Sequence, residues 1–252
     1  MLLSHHESLL CLEQLIDLTQ IHHLLWTSLE KKLVLGFHQV YSNSLQSEKE
    51  AGLTNNKPVG MMNPLNKEMG FLRTSLIPGL IKAADMNIKN SNNQFRIFEL
   101  GHVHLVSESS PNGVDERKLL SGLIIGNIIS QNVHTDPEAE DLFSVKGYLS
   151  SLFENKLSMR MELDIENEDL GFELSRSITL NKQKVGRMGR ISTAWIDSMN
   201  LDLEEAYGFE IDLEPIKRML ENKKTFKKII PYPKVVRDLN LVIPEEQEVG
   251  TI

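Results

Sequence analysis

The chain has 252 residues and a mass of 28.7 kDa, long enough for one large domain, or two small ones, with a buried core. Its composition, 40% hydrophobic and 25% charged, is typical of a soluble globular protein, and no apolar run reaches the roughly 18 residues that a membrane helix needs. The single cysteine, Cys11, excludes an internal disulfide framework and any zinc site built from several cysteines. It fits a reducing compartment, and Met1–Cys11 lacks the basic cluster of a signal peptide.

The formal net charge of −8 argues against a protein that coats nucleic acid nonspecifically, because phosphate binding needs an excess of lysine and arginine. The charge is unevenly distributed along the chain. Residues 132–171 hold ten acidic and three basic side chains, a net of −7, whereas residues 217–237 hold eight basic and one acidic side chain, a net of +7. Both stretches are interpreted as solvated surface, with the alternative that the basic one faces RNA or acts as a linker.

The first half of the chain contains two predicted helices, a strand and a loop. Leu9–Leu35 has leucines three and four residues apart and is predicted to be helical. The side chains of Phe37–Leu45 fall into two alternating sets, which predicts a strand. Leu53–Asn66 is rich in Asn, Gly and Pro and is predicted as a loop. Leu72–Ile88 is predicted as a helix with one buried face, and Pro78 lies near its start, where a helix tolerates proline.

The second half is dominated by strands. They are predicted at Phe95–Leu105, Leu119–Ile129, Arg160–Ile165, Ser177–Leu180, Lys184–Ile191 and Ala206–Leu213. Helices are predicted at Leu142–Leu152, Ser192–Met199 and Glu214–Leu220. Several strands that follow each other through short turns indicate an α+β domain built around a mostly antiparallel sheet flanked by helices.

Five motifs resemble those of one family. The run Met61–Leu80, MMNPLNKEMGFLRTSLIPGL, closely resembles the "NPLS…LRTSLLPGLL" signature of the phenylalanyl-tRNA synthetase beta subunit. Four further segments resemble motifs of this family in the same order, namely Leu35–Val40, Phe95–Val103, Asp141–Leu152 and Tyr232–Ile243. Because the motifs are spread over most of the chain in the family's order, the resemblance is strong.

The resemblance implies a class II aminoacyl-tRNA synthetase-like fold and a domain organisation. Residues 1–22 form an unassigned N-terminal helical segment, residues 23–230 the catalytically inert synthetase-like core, and residues 231–252 the truncated start of a ferredoxin-like anticodon-binding domain. The family's tRNA-binding, editing and winged-helix-like domains have no counterpart here. We therefore expect the chain to be a fragment of the beta subunit.

The resemblance also implies a role in an enzyme complex. The alpha subunit of the family holds the ATP and phenylalanine site, pairs with the beta module, and two pairs form a cytoplasmic (αβ)₂ assembly that attaches phenylalanine to tRNA. ATP and Mg²⁺ are expected for the whole enzyme, and no cofactor is expected on this segment. The pairing surface is expected at Trp26–Leu45, including Phe37, with Asn63–Leu80 beside it. The alternative is that these residues pack only within the domain's own core.

Pairing with the alpha subunit without catalysis is called the scaffold role below, and two other functions are alternatives to it. The first is direct tRNA binding through the basic segment 217–237, since a local cluster of cations is sufficient for phosphate contact. The second is an independent enzyme of the same fold, such as a carboxylate–ATP ligase, which the following departures from the class II pattern argue against.

Two motifs that carry catalysis in class II synthetases are altered. Those enzymes place an arginine on a strand as Phe-Arg-x-Glu, because a guanidinium neutralises phosphate charge. Here Glu99 lies three residues after Arg96, which predicts opposite faces of the strand, and Phe98 occupies the matching position. The late strand Ala206–Leu213 contains no arginine. We therefore predict no catalytic, cofactor-binding or metal-binding residue in this chain.

The remaining candidates are interpreted as structural. His102 and His104 share a strand face that a metal could use, but without a third His or a Cys nearby they are interpreted as exposed side chains. Gly186–Arg190 lacks the ending of a phosphate loop, so its two arginines are expected to border a hairpin or, alternatively, to contact RNA or a partner. The acidic run Asp136–Asp141 lacks the ligand spacing of a calcium loop. Cys11 is interpreted as a small core residue, and the pairs His5–His6 and His22–His23 as surface.

Overall fold

A computed structural model of the protein describes residues 36–129, 138–166, 171–201, 203 and 205–221. The chain divides into one unit of residues 1–222 and another of residues 223–252, and every described residue belongs to the first. The predicted helix Leu9–Leu35, Cys11, the two histidine pairs, the segment 231–252 and most of the basic segment 217–237 lie outside the described residues.

The first half of the fold contains short strands, two helices and a long hairpin. In chain order its elements are β1 (His38–Gln39), β2 (Leu45–Gln46), α1 (Glu48–Ala51), a 3-10 turn (Lys67–Met69), β3 (Phe71–Leu72), α2 (Ile77–Lys89), β4 (Phe95–Val106) and β5 (Val114–Ile125). The turn between β4 and β5 contains Pro111, Asn112 and Gly113, which are residue types that favour hairpin turns.

The second half adds the remaining strands of the sheet and three helices. Its elements are β6 (Asn127–Ile129), β7 (Glu138–Ala139), α3 (Leu142–Ser150), which runs on into a π-helical turn (Ser151–Lys156), β8 (Met161–Ile165), β9 (Phe172–Leu180), β10 (Gln183–Ile191), α4 (Thr193–Met199), β11 (Tyr207–Asp212) and α5 (Leu213–Glu221). Asp141 begins α3 with a capping box, because its carboxylate accepts the Ser144 N–H and the Ser144 hydroxyl accepts the Asp141 N–H.

Seven strands form one sheet in the order β1-β4-β5-β11-β10-β9-β8. Its pairings are antiparallel except that β1 runs parallel to β4. The predicted α+β class with a mostly antiparallel sheet is therefore confirmed.

Helices cover both faces of the sheet and create two apolar clusters. On one face, Val145 and Leu149 of α3 and Ile216 of α5 pack on Phe98 and Phe209 of the sheet. Each fully buried side chain of this kind contributes about 1.5–3 kcal/mol relative to exposure. The opposite face is covered by α2 and α4, whose contacts with the sheet include Leu80, Ile81, Trp195, Ile97 and Leu123.

Several predicted element boundaries are wrong. The segment Phe37–Leu45 contains two short strands instead of one. It runs beside β4 as far as Val40, whose N–H donates to the Phe98 carbonyl. The chain then leaves β4, and Leu45 pairs with β3. The predicted strand Leu119–Ile129 is divided at Gly126, which has a φ of +90° and lies against the Asn93 carbonyl.

The helix predicted over Leu72–Ile88 begins only at Ile77, with Pro78 in its first turn. The strand predicted over Ser177–Leu180 is longer and begins at Phe172. Ser192 occupies the N-cap position of α4, yet its side chain makes no capping hydrogen bond. Among the described residues, no helix is both long enough and apolar enough to span a membrane.

Candidate functional site

Arg96 of β4 forms an ion pair with the Glu140 carboxylate of the same chain. Its Nε and Nη2 lie 2.6 Å and 2.5 Å from Oε1 of Glu140, which directly precedes the Asp141 cap of α3. The guanidinium also lies over the ring of Tyr148, 4.8 Å from its centroid, and the Tyr148 hydroxyl donates to Glu140 at 3.0 Å. Since Glu140 is almost fully buried, the arginine has a fixed internal counter-ion.

Tyr148 completes this cluster. Its ring packs edge-on against Phe37, with centroids 5.6 Å apart. Burial and the neighbouring Glu140 carboxylate raise the pKa of Tyr148 to about 12, and Arg96 only partly opposes them. The phenol therefore remains a hydrogen-bond donor to Glu140 at neutral pH, and the guanidinium, carboxylate and phenol satisfy one another.

Glu99 lies on the other face of β4, as predicted. Its Oε1 accepts a 2.7 Å hydrogen bond from Nη1 of Arg73, and its Oε2 accepts one of 2.7 Å from the Ser42 hydroxyl. Both side chains of the Arg73–Glu99 pair are at most 5% exposed. Phe98, which shares the face of Arg96, is fully buried in the core. Arg96 and Glu99 therefore serve two separate ion pairs and do not form a joint site.

A buried glutamate anchors the late strand β11. Glu210 Oε1 accepts hydrogen bonds from the Ser75 hydroxyl at 2.7 Å, the Leu76 N–H at 3.0 Å and the Ser121 hydroxyl at 3.2 Å. Its Oε2 lies 3.2 Å from Nη2 of Arg187. These bonds fasten the segment before α2 to the centre of the sheet.

The two arginines of Gly186–Arg190 lie on β10, which is the second strand of the β9–β10 hairpin and an interior strand of the sheet. Arg187 pairs with Glu210 and stacks over Phe172 at 5.3 Å. Arg190 pairs with Glu173 at 2.5 Å and lies 3.9 Å from Glu205. Both arginines have carboxylate partners, which offset the positive charge that an RNA phosphate would meet.

The histidine pair of β4 differs in exposure. The His102 side chain is 50% exposed, as the sequence interpretation expects, whereas that of His104 is only 21% exposed. Each has a ring nitrogen 3.9 Å from Glu116 Oε1. Burial lowers the pKa of His102, and Glu116 only partly offsets this. In the described part of the chain, no three His, Cys, Asp or Glu side chains are arranged to hold a metal ion.

A cavity of about 460 Å³ lies beside Glu140, near the ends of β5 and β11. Its apolar lining includes Ile88 and Leu203, and its polar lining includes Glu140, Glu205 and Tyr207. The Tyr207 hydroxyl donates to Glu205 at 2.7 Å, and burial together with this carboxylate raises the pKa of Tyr207 to about 12. None of the described residues that line the cavity is a lysine or an arginine, so the lining offers no cation for the anionic part of a nucleotide.

The sequence model of the family described as the phenylalanyl tRNA synthetase beta chain CLM domain matches residues 19–213. The chain belongs to this family. Curated relatives named phenylalanine–tRNA ligase beta subunit include one from Listeria innocua, 33% identical over 223 residues, and one from a Synechococcus strain, 29% identical over 227 residues. Each alignment covers 86% of this chain but only 27% of the relative, so the chain spans about a quarter of these beta subunits.

Solved structures give the fold independently of sequence similarity. A pyrrolysyl-tRNA synthetase from Desulfitobacterium hafniense superposes with a TM-score of 0.61 over 81% of this chain and 69% of that one, at 16% identity. A second structure of that synthetase gives the same TM-score at 14% identity. The class II synthetase-like fold of this beta-subunit family member is therefore confirmed.

Sequence reasoning missed the partners that hold the arginines and strands together. Arg73 and Ser75 lie inside the family signature, where their only signal is that they are polar residues next to the apolar start of a helix. Glu140 lies in the acidic stretch that the sequence analysis interprets as solvated surface, whereas its side chain is buried. Because partners 26 to 135 residues apart in sequence produce these bonds, local spacing carries no signal for them.

Proposed function

We propose that this chain is the non-catalytic, synthetase-like module of a phenylalanine–tRNA ligase beta subunit. In this role it pairs with the alpha subunit, which attaches phenylalanine to its tRNA using ATP, in a cytoplasmic (αβ)₂ assembly. ATP and Mg²⁺ would be held by the alpha subunit. The observation that carries the non-catalytic role is the Arg96–Glu140 ion pair, in which an internal carboxylate occupies the guanidinium.

The electrostatics around Arg96 support this role. A guanidinium contributes to phosphoryl or carboxyl activation by neutralising charge that develops on the substrate. The positive charge of Arg96 is already neutralised by the Glu140 carboxylate. The lining of the adjoining cavity includes a second carboxylate, that of Glu205. The position of Phe98 in the core leaves it unable to bind a cation or an amine. Among the described residues of this site, no cation is therefore left to attract a substrate anion.

Exposed apolar side chains support the pairing with a partner subunit. Met62 and Leu65 are 95% and 89% exposed, and Tyr41 is 80% exposed. Leu65 lies in the expected pairing segment Asn63–Leu80, and Tyr41 in Trp26–Leu45. Phe37 is buried in the chain's own core and is not a pairing residue, which corrects that part of the expectation. Apolar burial is characteristic of obligate interfaces.

Two measurements test the proposed function. The isolated chain should show no ATP–pyrophosphate exchange with phenylalanine, and exchange above that of a blank would overturn its non-catalytic role. The chain should co-purify with a tagged alpha subunit when both are produced in one cell. A Met62→Lys/Leu65→Lys variant should co-purify less well. An Arg160→Ala variant, which leaves the apolar loop around Met62 and Leu65 unchanged, serves as the control. Equal recovery of all three would argue against pairing through this surface.

The alternative function is direct tRNA binding through the basic segment 217–237, whose net charge is +7. An affinity for tRNA that falls steeply between low and high salt, and is lost when Lys223, Lys224, Lys227 and Lys228 are changed to Ala, would favour it. Absence of binding at low salt would leave the scaffold role.

A further inference from the structure

The cavity beside Glu140 is large enough for a small organic molecule. Its volume of about 460 Å³ falls within the roughly 300–1,000 Å³ that small-molecule sites occupy in proteins. One part of its wall is aliphatic and consists of Ile88, Ile124, Ile125 and Leu203. An aliphatic wall stabilises a ligand by removing hydrocarbon surface from water. The cavity therefore favours a ligand with an apolar body.

The polar part of the lining carries an excess negative charge. Glu140 is neutralised by Arg96, whereas Glu205 shares its cation with a second carboxylate. That cation is Arg190, whose guanidinium lies 2.5 Å from Glu173 Oε2 but 3.9 Å from Glu205 Oε1. Because two carboxylates share one arginine, one negative charge remains at the Glu205 side of the cavity.

The surroundings of this charge are also acidic. Burial raises the pKa of Tyr207, which lines the cavity, and the carboxylates of Glu205 and Asp141 raise it further, against partial opposition from Arg190. The stretches of sequence that adjoin the lining add further acidic residues. No lysine or arginine occurs in these stretches, which are residues 130–138 and 200–206.

We propose that this cavity binds a small amine, with the ammonium group at Glu205 and an apolar body against the aliphatic wall. Both described partners of the Glu205 carboxylate, the Tyr207 hydroxyl and Arg190, contact its Oε1. Its Oε2 can therefore accept a hydrogen bond from the ammonium group, and hydrogen bonds between charged groups are the stronger kind. The proposal is independent of pairing with an alpha subunit.

The same lining discriminates between ligands by their charge. A carboxylate or phosphate finds no lysine or arginine among the described lining residues. An α-amino acid carries its ammonium group next to a carboxylate, which would lie close to Glu205 and be repelled by it. The cavity therefore selects an amine over the amino acid with the same side chain, and over the uncharged alcohol.

The test uses the full 252-residue chain with labelled methyl groups and three matched probes, cyclohexylmethylamine, cyclohexylmethanol and cyclohexylglycine. In NMR titrations the amine should shift the methyl signals of Ile124, Ile125 and Leu203 saturably and leave that of Ile165 in place. The alcohol and the amino acid should bind about fivefold more weakly, the effect of one solvent-screened ion pair. If the amine leaves the cavity methyl groups unshifted, or if either other probe binds as tightly, the proposal is wrong.

A charge-neutral variant separates recognition by Glu205 from general attraction to an acidic protein. Glu205→Gln keeps the size of the side chain, and it should weaken the amine about fivefold while leaving the alcohol unchanged. The matched control, Glu108→Gln, changes the net charge equally at an exposed position between β4 and β5 and should retain the amine. Undiminished amine binding by Glu205→Gln, or equal loss in both variants, would overturn the proposal. Urea unfolding of each variant verifies that it is folded.

Discussion

At the scale of single residues, the polar positions of the family signature act as internal anchors. Arg73 binds Glu99 and also donates from Nε to the His102 carbonyl at 2.7 Å. Thr74 donates to the Ala51 carbonyl at 3.0 Å, and Ser75 donates to Glu210. All three are at most 4% exposed. Their side chains link the segment before α2 to β4, to α1 and to β11, so the signature is explained by folding and needs no bound substrate.

Removing one partner of the buried Arg73–Glu99 pair should be strongly destabilising. Arg73→Met should lower the free energy of unfolding by about 3–5 kcal/mol, because Glu99 would remain buried without its cation. Arg160→Met, which removes an 81% exposed arginine from its pair with Glu162, should cost at most about 1 kcal/mol. Urea unfolding followed by circular dichroism measures both, and equal effects would contradict the anchoring role of Arg73.

The pH dependence of stability should include a contribution from Glu50. Burial by itself raises the pKa of this carboxyl, but hydrogen bonds from Lys82 and from the backbone and hydroxyl of Ser47 outweigh it and hold the pKa below the ordinary 4.5. Because the folded pKa is lowered, this stabilisation is present above pH 4.5 and is lost as the pH falls through the folded pKa.

Glu50→Gln should therefore reduce stability at pH 7 by roughly 1 kcal/mol, a modest effect because solvent screens the half-exposed Lys82. The difference from the unmodified protein should vanish toward pH 3. Urea midpoints measured between pH 7 and pH 3 test this, and a difference that stays constant with pH would contradict it. Glu48→Gln on the same helix serves as the control.

At the scale of elements, glycines in two helices should respond oppositely to alanine. A Cβ at Gly79 in α2 would lie 2.7 Å from the Ser42 Cβ, whereas a Cβ at Gly147 in α3 would have no neighbour within 4 Å. Gly79→Ala should therefore destabilise the fold by about 1–3 kcal/mol, whereas Gly147→Ala should stabilise it by roughly 0.5–1 kcal/mol through higher helix propensity. Thermal unfolding measures both, and a shift of the same sign in the two variants would be inconsistent with this packing.

At the scale of the whole molecule, the apolar loop around Met62 and Leu65 should make the isolated chain self-associate. Both side chains are almost fully exposed, and apolar surface of this kind is stabilised by burial against a second surface. Sedimentation velocity should show concentration-dependent association, which Met62→Lys/Leu65→Lys should suppress without lowering the unfolding temperature. A monomer at every accessible concentration would contradict this prediction.

The sequence by itself determined the α+β class, the class II synthetase-like fold and the order of most elements. Periodicity predicts helices such as α2 and α3, and the hairpin signal between β4 and β5 is local, so both are readable over short windows of sequence. The opposite faces of Arg96 and Glu99 follow from strand geometry alone. Motif order was sufficient to identify the family because each motif lies within one or two elements.

Only the tertiary structure decided which charges meet. Glu140 lies near Arg96 because its N–H donates to the Gly126 carbonyl at the end of β5. Arg73 lies near Glu99 because the chain leaves β1 early and returns beside β4, where the Arg73 carbonyl accepts the His104 N–H. The early departure also divides the strand predicted at Phe37–Leu45. These partners are distant in sequence, and the free energy of a buried ion pair depends on a geometry that only the folded chain defines.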